Sequence, residues 1–309
     1  MRAYTIFDDF DSAAAEALRN AGVELTVHPQ GVPRPSKEQM REILGEYDCV
    51  IIGTSQKIGE DDFDAVDSPR IIATASAGTD HIKVPEGKKD LITVINTPGA
   101  NAAAVAEYTL GCALACIKRL DESNALYREC TDNKSLFAKP RELSGKVMGI
   151  FGAGKVSEAV AKYAAFFGME VICFTPHPDN HPETAKYVSE FVSPEALAEK
   201  ADIISVNLPL NGGTKGIISC ELIGRMKNDA VFISVSRAET ADIPALFEKA
   251  KANRDFYVCL DIDVDESIAK EIPAGHNISV TPHTAGGTAE TRVRMFRQAA
   301  ESIIERVKE

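Results

Sequence analysis

The features this sequence lacks narrow its possible roles first. No stretch of its 309 residues approaches the ~20 consecutive apolar positions that cross a bilayer as a helix, so no membrane partner is expected. No run of five or more basic residues occurs, and 46 acidic side chains outnumber 34 basic ones, giving a formal net charge of -12. Nucleic acid and anionic lipid both call for clustered Lys and Arg, so nucleic acid is not an expected partner either. The seven cysteines, at 49, 112, 116, 130, 173, 220 and 259, form no CxxC pair, and four of them lie inside apolar stretches. That odd count without framework spacing predicts reduced core thiols in a cytoplasmic protein. The opening MRAYTIFDDF turns acidic after one short apolar run, unlike a signal peptide. With 44% hydrophobic and 26% charged residues, the composition is that of a globular chain, long enough for two cores.

Short β-rich runs alternate with helical patterns almost from end to end. Strands are expected at Ala3–Phe7, Glu24–Val27, Cys49–Ile52, Ile71–Ala75 and Ile92–Ile95, with a helix over Asp11–Asn20 that stops before Gly22. The turn Asn96-Thr97-Pro98-Gly99 closes this set, and one long helical pattern runs from about Asn101 to Glu129. The alternation then restarts, with strands at Val147–Phe151, Glu170–Phe174, Ile203–Val206, Ala230–Ser234 and Phe256–Leu260 and a short run at Ile278–Val280. A final helix is expected over about Thr288–Val307. Strand–helix alternation of this kind predicts α/β architecture with parallel sheets.

Gly152-Ala153-Gly154-Lys155-Val156-Ser157 directly follows one of these strands and opens a helical pattern. In that setting a GxGxx(G) turn binds a dinucleotide. The first Gly makes the turn, the second lets the backbone approach a pyrophosphate, and the helix start supplies free N–H groups. Ser157 replaces the third Gly. At the end of the next strand, where a carboxylate would hold ribose hydroxyls, stands Thr175, and no Arg or Lys follows before Lys186. NAD(H) and NADP(H) therefore both stay open. His177 and His181 are spaced like a metal pair, but the prolines at 176, 178 and 182 forbid the helix that would align them, so no metal is expected. A second constellation follows three later strands: Arg237, then Asp261 with Glu266, then His283. In a parallel sheet such residues gather at the carboxyl edge, where ligands bind.

These residues, in this order, resemble the D-isomer-specific 2-hydroxyacid dehydrogenases, which include D-lactate, D-3-phosphoglycerate and glyoxylate/hydroxypyruvate enzymes. The likeness runs through Ser76-Ala77-Gly78-Thr79-Asp80-His81-Ile82, Asn96-Thr97-Pro98-Gly99, Ala106-Glu107, the Gly152 loop and Asn207-Leu208-Pro209-Leu210 with Thr214. It continues through Met226-Lys227, Ser236-Arg237-Ala238, Asp242, Leu260-Asp261, Glu266 and Thr281-Pro282-His283. Departures from the family pattern are Ser157, Thr175, Ser76, Ala238, Ser234 and Ser267, the last standing where Pro usually follows the catalytic Glu.

The resemblance implies two Rossmann-like or flavodoxin-like doubly wound domains with the active site in the cleft between them. The substrate domain would be discontinuous, 1–98 with 286–309, around an NAD(P)-binding domain at 99–285. It implies a catalytic set of Arg237, Glu266 and His283. Cofactor contacts would come from Gly152, Ala153, Gly154, Lys155, Val156, Thr175, Leu208, Pro209, Thr214, Val235, Ser236, Asp261 and His283, with Asp261 on the nicotinamide amide. Ser76, Ala77, Gly78, Lys57 and Arg237 would bind substrate, and two copies would pair through the cofactor domain.

The chemistry suits these residue types. A guanidinium fork can hold a carboxylate and polarise the adjoining carbonyl. An imidazole can give or take the proton of the C2 oxygen, and a carboxylate beside it favours its charged form. The activity expected is hydride transfer between NAD(P)H and C2 of a small D-2-hydroxy or 2-keto acid. A non-catalytic NAD(H)-sensing scaffold or corepressor-like protein on the same fold is the second reading.

Overall fold

The computed structural model describes residues 1–68, 70–130, 139–273, 275 and 277–308. The chain divides into two units, Met1–Asn101 with Thr288–Glu309, and Ala102–Gly287.

The first unit holds strands β1 (Arg2–Thr5), β2 (Glu24–Val27), β3 (Cys49–Ile52), β4 (Arg70–Thr74) and β5 (Ile92–Ile95), all paired in parallel in the order β2-β1-β3-β4-β5. This is the flavodoxin-like order, with its topological switch between β1 and β3. The central β3 reads CVII and is buried at every position, as a strand covered on both faces must be. The Ser12–Asn20 helix starts where the Asp11 carboxylate accepts from the Ala14 amide at 3.0 Å.

The Ala289–Lys308 helix completes this unit's core. Its N-terminus is capped by Thr288, whose hydroxyl accepts from the Thr291 amide at 3.1 Å. Phe296 then stacks against Phe7 and Phe10 at ring-centroid distances of 4.8 and 4.7 Å, and Ala300 and Ile303 are buried behind it. Arg292 pairs with Asp9 at 2.5 Å and Arg297 with Asp11 at 3.0 Å. Those pairs are partly exposed and worth little, so the rings supply most of the attachment.

The second unit holds β6 (Val147–Phe151), β7 (Glu170–Phe174), β8 (Glu190–Phe191), β9 (Ile203–Val206), β10 (Val231–Ser234), β11 (Tyr257–Ile262) and β12 (Ile278–Pro282). They form one parallel sheet in the order β12-β11-β10-β9-β6-β7-β8. The chain builds outward one way from β6 through β8, then crosses back to add β9 through β12. That is the Rossmann order extended by one strand, with its switch between β6 and β9.

One local expectation is corrected, and further short elements appear. The pattern from Asn101 to Glu129 is two helices, Ala102–Ile117 and Leu120–Arg128, broken at Arg119 with φ 54°. The break lets the Arg119 guanidinium reach Glu122 and Asp255 and lie 5.9 Å over the Tyr257 ring. The stretch Thr175–Thr184 is more ordered than a plain loop. It carries a 3-10 turn at Pro178–Asn180, and Pro182 opens a short helix, Pro182–Ala185, as proline does at a first helical position. The two-residue β8 was unexpected, being too short to show a period. Cys49, Cys116, Cys173 and Cys259 are buried, and burial pushes the thiols of Cys49 and Cys173 up to about 12, where they are chemically inert.

Because Phe296 is the largest buried side chain of the returning helix, Phe296→Ala should cost the first unit roughly 3–5 kcal/mol. Urea unfolding followed by circular dichroism should show an early transition absent from the parent. A midpoint within error of the parent would mean that the ring does not hold the helix in place.

Candidate active site

The switch point of the second unit is shaped by a glycine. Gly152 has φ 96°, and a Cβ there would come within 3.2 Å of the Asn207 carbonyl oxygen and of Leu208 Cδ2. Side chains are thus excluded twice over, by conformation and by the chain leaving β9. Gly154 opens the Lys155–Phe166 helix as its N-cap, and a Cβ there would meet nothing within 4 Å. The turn is therefore tight on its inner side and open at the helix start, where backbone N–H groups have no intrahelical acceptor. That is the cradle a pyrophosphate needs.

Ser157, in place of the third glycine, is fully buried and tolerated because its hydroxyl has a partner. It accepts from Asn207 Nδ2 at 3.2 Å, while Asn207 Oδ1 accepts from the Ser205 hydroxyl at 3.0 Å. The Thr184 hydroxyl donates to the Ala153 carbonyl at 2.8 Å and pins the turn from the far side. Thr175 stands at the end of β7, and its hydroxyl accepts a long bond, 3.5 Å, from the His177 amide. After β9, the Thr214 hydroxyl donates to the Pro209 carbonyl at 2.5 Å, and the buried Ser236 hydroxyl donates to the Leu208 carbonyl. Leu208, Pro209, Thr214 and Ser236 thus form one braced pair of loops.

The other edge group lies at the carboxyl ends of β10, β11 and β12, three adjacent strands. Arg237 is half-buried just past β10, its carbonyl accepting from the Thr240 hydroxyl at 2.7 Å. Asp261 lies inside β11 and is 1% exposed. Its register partner is Thr281, whose hydroxyl donates to Asp261 Oδ1 at 2.6 Å. The amides of Thr284 and Ala285 donate to the same carboxyl group at 2.7 and 2.8 Å. Since Thr281 spends its proton on Asp261, its oxygen accepts from the Tyr108 phenol at 2.7 Å. Burial pushes Tyr108 well above the ordinary phenol range, so it remains a donor.

These bonds fix the loop that carries His283. The residue sits at φ 51°, a left-handed conformation costly for a non-glycine, and its amide donates to the Thr281 carbonyl at 2.9 Å. Strain of this kind persists only where its surroundings over-determine it, and the Asp261 bonds flanking His283 do so. Every recorded contact of the Asp261 carboxyl thus serves this loop. Its expected partner, the nicotinamide amide, would have to share oxygens already in use.

His283 and Glu266, expected side by side, are not brought together. Glu266 is the first residue of the Glu266–Glu271 helix, 82% exposed, and pairs with Lys270 at 2.6 Å. The i,i+4 spacing on one short helix brings Lys270 within reach of it. The carboxylate at His283 is instead Asp263, with Oδ1 3.0 Å from Nδ1. Asp263 escaped the sequence reading. Its one signal was its place two residues beyond Asp261 at a strand end, the spacing that puts two side chains on one face.

In the first unit the loop after β4 has its carbonyls occupied. The Ser76 carbonyl accepts from the Thr97 amide at 2.9 Å, that of Ala77 from Asn96 Nδ2 at 2.6 Å, and that of Gly78 from the Ser76 hydroxyl at 2.7 Å. With the carbonyls turned inward, the amides of Ala77 and Gly78 donate to no acceptor among the described residues. Paired free amides suit a carboxylate. Lys57 is exposed beside Ile58, which bridges to Ile82.

Relatives of known description match most of the chain. A sequence model described as "D-isomer specific 2-hydroxyacid dehydrogenase, NAD binding domain" matches residues 110–285. A hydroxypyruvate reductase of Thermotoga maritima is 32% identical over 96% of this chain and 95% of its own. A glyoxylate reductase of Thermofilum pendens is 31% identical over 91% of this chain and 84% of its own. Among solved structures, the NAD+-bound 3-phosphoglycerate dehydrogenase of Entamoeba histolytica is 25% identical, with a TM-score of 0.78 over 99% of this chain and 94% of that one.

The neutral Thr175 generates a test of cofactor choice. Thr175→Asp places a charge where an adenosine 2′-phosphate would lie. It should raise the NADH-over-NADPH ratio of kcat/KM by roughly tenfold or more. An unchanged ratio would assign the discrimination to another group.

Proposed function

This chain belongs to the D-isomer specific 2-hydroxyacid dehydrogenase family, and from that premise we propose that it reduces a short 2-keto acid at C2, and oxidises the matching D-2-hydroxy acid, with Arg237 and His283 as its catalytic residues. It is an NAD(P)-dependent oxidoreductase of the Rossmann type. The observation that carries the residue assignment is the braced His283 loop at the same sheet edge as Arg237, one strand apart from β10.

The residues fit the cofactor. Gly152, Ala153 and Gly154 with the helix start at Lys155 and Val156 would hold the pyrophosphate, and Thr175 would face the ribose. Leu208, Pro209, Thr214, Val235 and Ser236 would line the same edge. The bound nicotinamide supplies the hydride in reduction and receives it in oxidation. Arg237 binds the substrate carboxylate with its fork and polarises the C2 carbonyl, so negative charge developing on that oxygen meets a fixed cation. His283 gives its proton to the C2 oxygen in reduction and takes it back in oxidation. Substrate binding by the first unit is proposed for the amides of Ala77 and Gly78, held by Ser76, and for Lys57. Glu266 enters this reading only through the family resemblance, since its contact in the structure is Lys270.

The two relatives described above are named as reductases, which supports turnover over a purely sensing role. We also propose a cytoplasmic protein, supported by its seven free thiols. A homodimer through the second unit is supported by the exposed Leu120, Tyr127 and Phe166 on that unit. Light scattering should give twice the 33.3 kDa chain mass, and the monomer mass would reject the dimer.

Purified protein should oxidise NADH or NADPH with at least one of glyoxylate, hydroxypyruvate, pyruvate or a branched analogue. His283→Ala should cut kcat by roughly 10²–10⁴-fold with little change in KM. Arg237→Ala should damage both parameters, since it removes carboxylate binding and carbonyl polarisation together. Folded protein that binds cofactor yet turns over no member of the panel would overturn the substrate class. A fully active His283→Ala enzyme would overturn the proton-transfer role.

A further inference from the structure

We infer that Asp263 is the carboxylate that orients His283 and holds its proton at Nδ1, in the place the family resemblance gives to Glu266; the inference rests on the proposed acid–base role of His283. Three observations carry it. Asp263 Oδ1 lies 3.0 Å from His283 Nδ1, within hydrogen-bond range. Glu266 is engaged 2.6 Å from Lys270 on its own short helix and has no recorded contact with His283. The His283 backbone is locked at φ 51° by the bonds from Thr281, Thr284 and Ala285 to Asp261, so the ring's position is set by the loop and its remaining freedom is rotation.

The chemistry follows from what each atom can do. An ionised carboxylate only accepts, so Nδ1 is the donor in this pair and the neutral ring keeps its proton there. Nε2 is then left for the substrate. In reduction the Nε2–H bond breaks as the C2 oxygen takes the proton. The electron pair of that bond stays on Nε2 and the Nδ1–H remains donated to Asp263, while the hydride for C2 would come from the bound cofactor. In oxidation the same Nε2 lone pair receives the hydroxyl proton. Without Asp263 the neutral ring is free to carry its proton on Nε2, where it cannot accept one.

Asp263 is 77% exposed, so the pair contributes little to folding, and an orienting role is what its position supports. The other titratable groups around the histidine loop, among the described contacts, are Asp261 beneath it and Tyr108, bonded to Thr281. Glu266 and Lys270 face each other as a pair. Asp263 is a positioning residue in this scheme, since it acts through His283 and touches no reacting atom.

The test compares Asp263→Asn, Glu266→Gln and Asp263→Glu in the full-length enzyme, using the best keto acid of the panel. Asp263→Asn should lower kcat by roughly 10- to 100-fold with a smaller change in KM, part of the loss that removing the ring itself would cause. Asp263→Glu should restore much of the lost kcat. A second readout needs no turnover. Ring ¹⁵N shifts of His283, assigned by loss of the signal in His283→Gln, should report the Nδ1–H form in the parent and a shift toward Nε2–H in Asp263→Asn. A ring tautomer unchanged in Asp263→Asn would overturn the inference, as would one moved as far by Glu266→Gln as by Asp263→Asn. If the parent turns over no keto acid, the proposed reaction fails, and the ¹⁵N measurement still decides the Asp263 assignment.

Discussion

A single buried carboxyl group, that of Asp261, organises the sheet edge that carries Arg237 and His283. An acidic group withdrawn from water costs several kcal/mol unless donors replace the lost hydration. Here the donors are the Thr281 hydroxyl on the neighbouring strand and the amides of Thr284 and Ala285 beyond it. To satisfy Asp261 the chain must leave β12 with those two amides turned back toward β11. That reversal between Thr281 and Thr284 imposes the left-handed backbone at His283. The strain at the histidine and the bonding of the aspartate are thus two sides of one constraint. Tyr108 extends it, tying the first helix of the unit to Thr281 through its phenol.

The sequence and the structure agree best where physics is local and repetitive. Runs such as CVII in β3 and VFIS in β10 are apolar on both faces, and only a covered parallel strand accommodates that. The residues that end strands could be placed at a common edge for the same reason, because parallel strands share a direction. What stayed hidden depends on partners far along the chain. The helix break at Arg119 follows from Asp255 and Tyr257, more than a hundred residues away. The swap of carboxylates at His283 was hidden differently. Glu266 matched a family position, yet the Lys270 four residues on was visible in the sequence and offered it a competing partner. Asp263, two residues past a buried aspartate, carried the complementary signal. The backbone angle that brings His283 over it could not be read from residue types.

Charge poses a separate problem for this molecule. With a net charge of -12 it must bind a dinucleotide and an acid, both of them anions. The net charge of the whole chain opposes both, so short-range donors must supply much of the binding. The free amides at the Lys155–Phe166 helix start and those of Ala77 and Gly78 are of this type, as is the Arg237 fork in the proposed reading. Dipoles and fixed amides act over a few ångströms and hold their direction, so they select geometry where a diffuse field would only gather anions. Raising ionic strength should weaken the general repulsion without much loss to these close contacts.

The first unit is interrupted in sequence, since its last helix is encoded after the whole of the second. Residues 1–101 are made before the second unit, yet Phe7 and Phe10 have no Phe296 to pack against until the whole of that unit has been made. The second unit, by contrast, is continuous and can fold as soon as it emerges. The earliest-made strands therefore wait longest for a finished core, with an apolar face open to chaperones and to other nascent chains. When the second unit folds, it brings the two flanks of its partner together and shortens the loop that the final helix must close. Folding order in this chain is thus set to run against translation order.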